Sequence, residues 1–175
     1  MAYNYQCSES TNIFGKTGSN TCLKCHGKEC CVKLEPPTLT GTDIAIMKQH
    51  LHLREKDFVM ETEDSSKDKF YYVLPDEFGR CIFFDEQKKT CKIFLFRPMD
   101  CQLFPLDIIF ENGKYYWILY KFCKLSDKVS EKVLRKADRL VSNLLDEEIR
   151  SYIGSDASIF DLGNWVRLRA VNIKG

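Results

Sequence analysis

One small α+β domain is the fold the sequence predicts, and three observations lead to it. Aromatic and β-branched runs separated by turn residues begin at Phe70. A 3.6-residue apolar stripe follows Ser126. Eight of the nine cysteines are gathered in two blocks that suit metal-binding loops better than a helix or a sheet. With 175 residues, 44% of them hydrophobic, the chain has material for one real core and not for two.

Residues 1–20 are polar and without period, and are expected to be an irregular lead-in to a single domain over 21–175. Residues 21–37 form a cysteine loop that ends in Pro36-Pro37. Thr40-Gly41-Thr42-Asp43 has the form of a capping box, and Ile44, Met47, Leu51 and Leu53 then give a short amphipathic N-terminal helix. The charge-rich stretch 54–69 reads as a surface connection. Phe70-Tyr71-Tyr72-Val73-Leu74 predicts a strand, followed by a turn at Pro75–Gly79. Cys81-Ile82-Phe83-Phe84 and Cys91-Lys92-Ile93-Phe94 flank a polar tip and predict a hairpin. A second hairpin is predicted from Asp107–Phe110 and Tyr115–Tyr120, because Asn112-Gly113 between two apolar runs tolerates the positive φ of a tight turn. Ser126 is read as the cap of a long C-terminal helix. Its stripe is Val129, Val133, Ala137, Leu140, Val141 and Leu144, extended by Ile149 and Ile153 and ended by Gly154. The tail from Ser158 is apolar enough to dock back onto the body.

The cysteines carry the chemistry. The first block is Cys22, Cys25, Cys30 and Cys31; the second is Cys81, Cys91 and Cys101, with Cys123 following. Soft thiolates in this number select zinc, iron–sulfur clusters or Cu(I) over hard cations. A C-x-x-C turn presents two thiolates to one tetrahedral centre. The adjacent pair is expected to diverge and to serve different metals, or different irons of one cluster. Eight thiolates suit two four-ligand centres, the alternative being one cluster with the remaining cysteines around it. Cys7 has no ligand spacing around it and reads as a small apolar residue.

The start of the chain has neither the basic nor the apolar region of a signal peptide, and no apolar run approaches a membrane span, so the expected compartment is the reducing cytoplasm. A net charge of +1 gives no electrostatic case for nucleic acid or an anionic membrane. Gly15-Lys16-Thr17 lacks the first glycine of a phosphate loop, where Ser10 stands, and no nucleotide fingerprint follows a predicted strand. His26 is either a substitute ligand or a surface imidazole; His50 and His52, two apart, read as surface residues.

The run Cys91-Lys92-Ile93-Phe94-Leu95-Phe96-Arg97-Pro98-Met99-Asp100-Cys101-Gln102-Leu103-Phe104-Pro105, preceded by Cys81 and the earlier block, resembles the CxxCxxCC family, named for zinc or iron chelation. That family includes the cysteine-rich part of flagellin lysine N-methylases. The resemblance implies that Cys22, Cys25, Cys30, Cys31, Cys81, Cys91, Cys101 and Cys123 are the chelating set. It also implies a role in protein modification, with a protein substrate or partner. The expected cofactor is an iron–sulfur cluster or zinc, with the balance toward iron. The alternative is a structural zinc module without catalysis, and whether the chain is an enzyme stays open at this stage. Arg97, held extended by Pro98, can donate to a cluster sulfur, to Asp100 or Asp107, or to a substrate carboxylate.

Overall fold

Helices and small antiparallel sheets share the chain, as the α+β expectation requires. The computed structural model describes residues 13–14, 29–32, 34, 36–63, 69–142, 144 and 165–172. In chain order these form α1 (Glu29–Val32), α2 (Gly41–Leu51), β1 (Val59–Glu63), β2 (Lys69–Val73), β3 (Phe84–Asp85) and β4 (Thr90–Cys91). There follow α3 (Met99–Leu103), β5 (Leu106–Glu111), β6 (Lys114–Tyr120), α4 (Glu131–Val141) and β7 (Trp165–Ala170). Among the described residues, no helix is long and apolar enough to cross a membrane.

The capping box forms as expected. The Thr40 hydroxyl accepts the Asp43 N–H at 3.1 Å, while the Asp43 carboxylate accepts the Thr40 N–H at 3.0 Å. Helix α2 ends at His52, whose left-handed φ of 53° turns the chain before Leu53 can join the apolar face. The stretch read as a surface connection contains β1, which pairs antiparallel with β2 from Val59↔Val73 to Glu63↔Lys69. Glu61 and Glu63 are exposed there, and Lys69 donates to Glu61 at 2.6 Å across the pair.

Asn112 (φ 51°) and Gly113 (φ 76°) make the turn between β5 and β6, and the register runs from Leu106↔Leu119 to Glu111↔Lys114. The tail does more than dock: β7 pairs with β6 as a third antiparallel strand. The fully buried Trp117 anchors a core of Leu103, Leu106 and Ile108 against Val133, Leu134, Ala137 and Val141 of α4. A second core of Leu39, Ile44, Met47, Phe58, Val73, Phe83 and Ile93 lies under the cysteine region.

The helix predicted to run from Ser126 begins later. Ser126 lies in a 3₁₀ turn, Ser126–Lys128, and its hydroxyl donates to the Tyr120 carbonyl, so it closes the end of β6 instead of capping a helix. Ser130 holds the extended conformation just before α4. The described helix has 11 residues, and the predicted extension through Ile149 and Ile153 to Gly154 lies outside the described residues.

Candidate metal centre

Three segments deliver five of the six described cysteines. The 3–4 hairpin brings the two ends of a short loop together: Phe84 pairs with Cys91, and the Lys92 N–H donates to the Phe83 carbonyl at 2.8 Å. Cys81 enters this hairpin through a bridge to Pro75, and its N–H donates to the Cys31 carbonyl at 3.3 Å. That bond ties the first cysteine block to the second across 50 positions of sequence. Cys101 comes from α3.

Helix α3 is braced by two carboxylates. Asp43, already used in the capping box, accepts the Met99 N–H at 2.9 Å with its other oxygen. Asp100 accepts the Thr38 N–H at 2.9 Å in the opposite direction. The segment around Thr38–Asp43 and the first turn of α3 are thereby fixed to each other, and the position of Cys101 with them.

Cys30 and Cys31 share one turn of helix, and their sulfurs lie 3.9 Å apart. The expected divergence does not occur, because on a helical turn neighbouring side chains differ by about 100° where those of a strand oppose. Two sulfurs on one tetrahedral ion with bonds of about 2.3 Å stand about 3.8 Å apart. The pair has the spacing of one edge of a single site.

The electrostatics record the same convergence. Burial pushes the Cys81 thiol up to about 11, Cys91 and Cys30 add to the rise, and backbone hydrogen bonds from Phe83 and Phe84 oppose it. Cys101 is driven well above the ordinary thiol range by burial, then by Asp100, Cys91 and Cys81, with Arg97 acting against them. Cys81 is thus within electrostatic reach of Cys91 and Cys30, and Cys101 of Cys91 and Cys81. Cys123 sits in the turn after β6, where its sulfur accepts the Leu125 N–H at 3.4 Å. It is not among the thiols acting most on Cys81 or Cys101. Cys7, Cys22, Cys25 and His26 lie outside the described residues. His50 and His52 are exposed, as expected, with His50 stacked on Phe96.

Among the described residues, no three cysteine, histidine or carboxylate side chains stand ready to hold one ion. The donor set nevertheless fits zinc or iron. Its donors are soft thiol sulfurs, and a soft cation binds them by displacing their protons. Backbone N–H groups on the Cys81 sulfur favour the thiolate form that a metal requires. Gln102, next to Cys101, keeps its Oε1 buried without a partner.

Sequence reasoning missed the second use of Asp43, the brace at Asp100 and the depth of Gln102. Only the first left a signal, since the capping box marks Asp43 as buried and oriented.

Comparison with known proteins bears on metal chelation in general. No solved structure matches the chain. An uncharacterized protein of Methanocaldococcus jannaschii is 31% identical over 136 residues, covering 73% of this chain and 71% of the relative. Residues 21–125 match the model of the CxxCxxCC domain, described as "Putative zinc- or iron-chelating domain", and so include all eight cysteines of the two blocks. The chain belongs to the CxxCxxCC family.

Proposed function

We propose that this is a metal-binding protein whose clustered cysteines hold zinc or iron. In this reading Cys30, Cys31, Cys81, Cys91 and Cys101 supply one centre. Cys22, Cys25 and Cys123 complete the ligand set, and residues 21–175 act as one domain in a reducing compartment. The observation that carries the reading is the convergence of thiols from α1, the β3–β4 hairpin and α3, which are far apart in sequence.

The iron form is the preferred one. An iron–sulfur cluster is tuned by hydrogen bonds to its sulfurs and by exclusion of water. Backbone donors at Cys81 and the apolar packing of Phe83 and Ile93 against Cys81 and Cys91 supply both conditions. When bound, such a centre would supply electron transfer. The chain's own residues orient the thiols and keep water away. The resemblance to lysine N-methylases supports a role in protein modification, on a protein substrate.

A second reading has one observation in its favour. The 3.9 Å sulfur pair equally suits a closed zinc site that staples an interaction module. Anaerobic purification followed by metal and acid-labile sulfide analysis, with an absorption spectrum, separates the two. Iron with stoichiometric sulfide and a broad visible band is the expected result. A colourless protein loaded with zinc would overturn the iron form, and a protein without either metal would overturn the proposal.

A further inference from the structure

The chain is close to neutral as a whole, but its charge is unevenly placed. Residues 121–139 carry seven basic and three acidic side chains, a net of +4, while the whole chain stands at +1 and the remainder at −3. Lys132, Arg135, Lys136 and Arg139 of α4 are spaced i, i+3, i+4 and i+7, which puts them on one face of the helix within about 100° of arc. Lys132, Arg135 and Arg139 are exposed and Lys136 is half-buried, with Lys128 exposed just before the helix begins. The opposite face, Val133, Leu134, Ala137 and Val141, is packed into the Trp117 core.

The nearby acids do not neutralise this face. Asp138 is buried and held by Trp117 and Arg169. Glu131 is shared between Arg169 at 3.2 Å and Arg135 at 3.9 Å. Asp127 is exposed in the 3₁₀ turn, outside the helix. Among the described residues, Lys128, Lys132, Lys136 and Arg139 take part in no ion pair. Like charges three and four positions apart repel and weaken a helix. This face holds four such pairs: Lys132 with Arg135, Lys132 with Lys136, Arg135 with Arg139 and Lys136 with Arg139. A face stabilised from within the helix alternates the signs, whereas this one is relieved by negative charge from outside.

We propose that the exposed face of α4 is a docking surface for an acidic segment of a partner protein, held through its carboxylates. The row from Lys132 to Arg139 is about 10 Å long, which matches about two turns of an acidic helix or about three residues of an extended acidic strand. A nucleic acid strand would run beyond the row onto the rest of a chain whose net charge is −3. An anionic membrane takes up a basic helix whose apolar side chains can insert beside the cations, and those of α4 are committed to the core. This core holds no cysteine among its described residues, so the docking surface does not depend on the metal-binding reading.

The test is fluorescence anisotropy of a labelled decaglutamate peptide titrated with the full chain. Saturable binding is expected at low ionic strength, weakening about tenfold or more between about 50 and about 300 mM salt, because exposed charges are screened. The double variant Lys132→Glu/Lys136→Glu is expected to bind about tenfold more weakly or worse, since like charges then face each other. Lys56→Glu/Lys88→Glu makes the same change in net charge at exposed sites on the cysteine-bearing half, and is expected to stay within about twofold of the parent. Melting curves show that each variant folds, and Lys132→Gln/Arg135→Gln replaces the first pair if it does not, with a loss in the same direction. Failure of the folded parent to bind the peptide at low salt would overturn the proposal. So would equal losses in the two double variants, since net charge and not this face would then decide. Tighter binding of a single-stranded oligonucleotide of matched charge, or of vesicles rich in phosphatidylserine, would overturn the assignment to an acidic protein segment.

Discussion

Removing the metal is expected to lower the melting temperature by on the order of ten degrees or more, and to loosen the cysteine-bearing half of the molecule first. The physical reason lies in how the two cores are closed. The core around Trp117 is closed by α4 and a three-stranded sheet, with no cysteine among its described residues. The core of Leu39, Met47, Phe58, Phe83 and Ile93 is closed on one side by Cys81 and Cys91, over a hairpin with only two residues in each strand. Such a short ladder is marginal alone. Without metal, the link between Cys31 and Cys81 rests on one 3.3 Å backbone hydrogen bond. Hydrogen exchange should then show amides of the 81–96 segment losing protection while those of the 5–6 strand pair keep it. An unchanged melting curve in a verified metal-free protein would contradict this account.

Asp138→Ala is expected to destabilise the fold by about 2–4 kcal/mol in chemical denaturation, since it breaks a buried charged network. The Asp138 carboxylate accepts Trp117 Nε1–H at 2.9 Å, Arg169 at 2.6 Å and the Asn172 N–H at 3.1 Å. One side chain of α4 thus clasps β6, β7 and the residues beyond. Alanine would leave the indole N–H of a fully buried tryptophan without its acceptor. The effect should depend on pH. Burial raises the Asp138 carboxyl, but hydrogen bonds from Arg169, Trp117 and Asn172 outweigh it and hold the group below the usual carboxylate range. A depressed folded value means that the contribution is fully present above the unfolded value of about 3.9 and fades as pH falls through the folded one. The gap between the parent and the alanine variant should therefore hold above about pH 4 and narrow progressively as pH falls below it. Equal stability at neutral pH would show that the clasp contributes nothing.

Local chemistry made some of this legible in advance. Asn112-Gly113 announced its hairpin because few residue pairs tolerate two positive φ angles, and Thr40 with Asp43 announced a helix start. What escaped depended on distant partners. Strand β1 was hidden because Glu61 and Glu63 face solvent beside β2. Strand β7 alternates Val166 and Leu168 with Arg167 and Arg169, a pattern that acquires meaning only next to β6. Ser126 and Ser130 are equally good caps by type, and the Tyr120 carbonyl decides between them. For the site, spacing marked the cysteines but could not show that Cys30 and Cys31 point the same way, or that Asp43 and Asp100 cross-brace the helix bearing Cys101.

The most direct test of the central claim, that the clustered cysteines hold zinc or iron, is metal per chain in single serine variants purified anaerobically under identical conditions. Cys81→Ser and Cys101→Ser are predicted to lose most of their metal, because a hydroxyl is a poor ligand for a soft centre, while Cys7→Ser keeps the parental content. Full loading of the Cys81 and Cys101 variants, or loss of metal from the Cys7 variant, would contradict it.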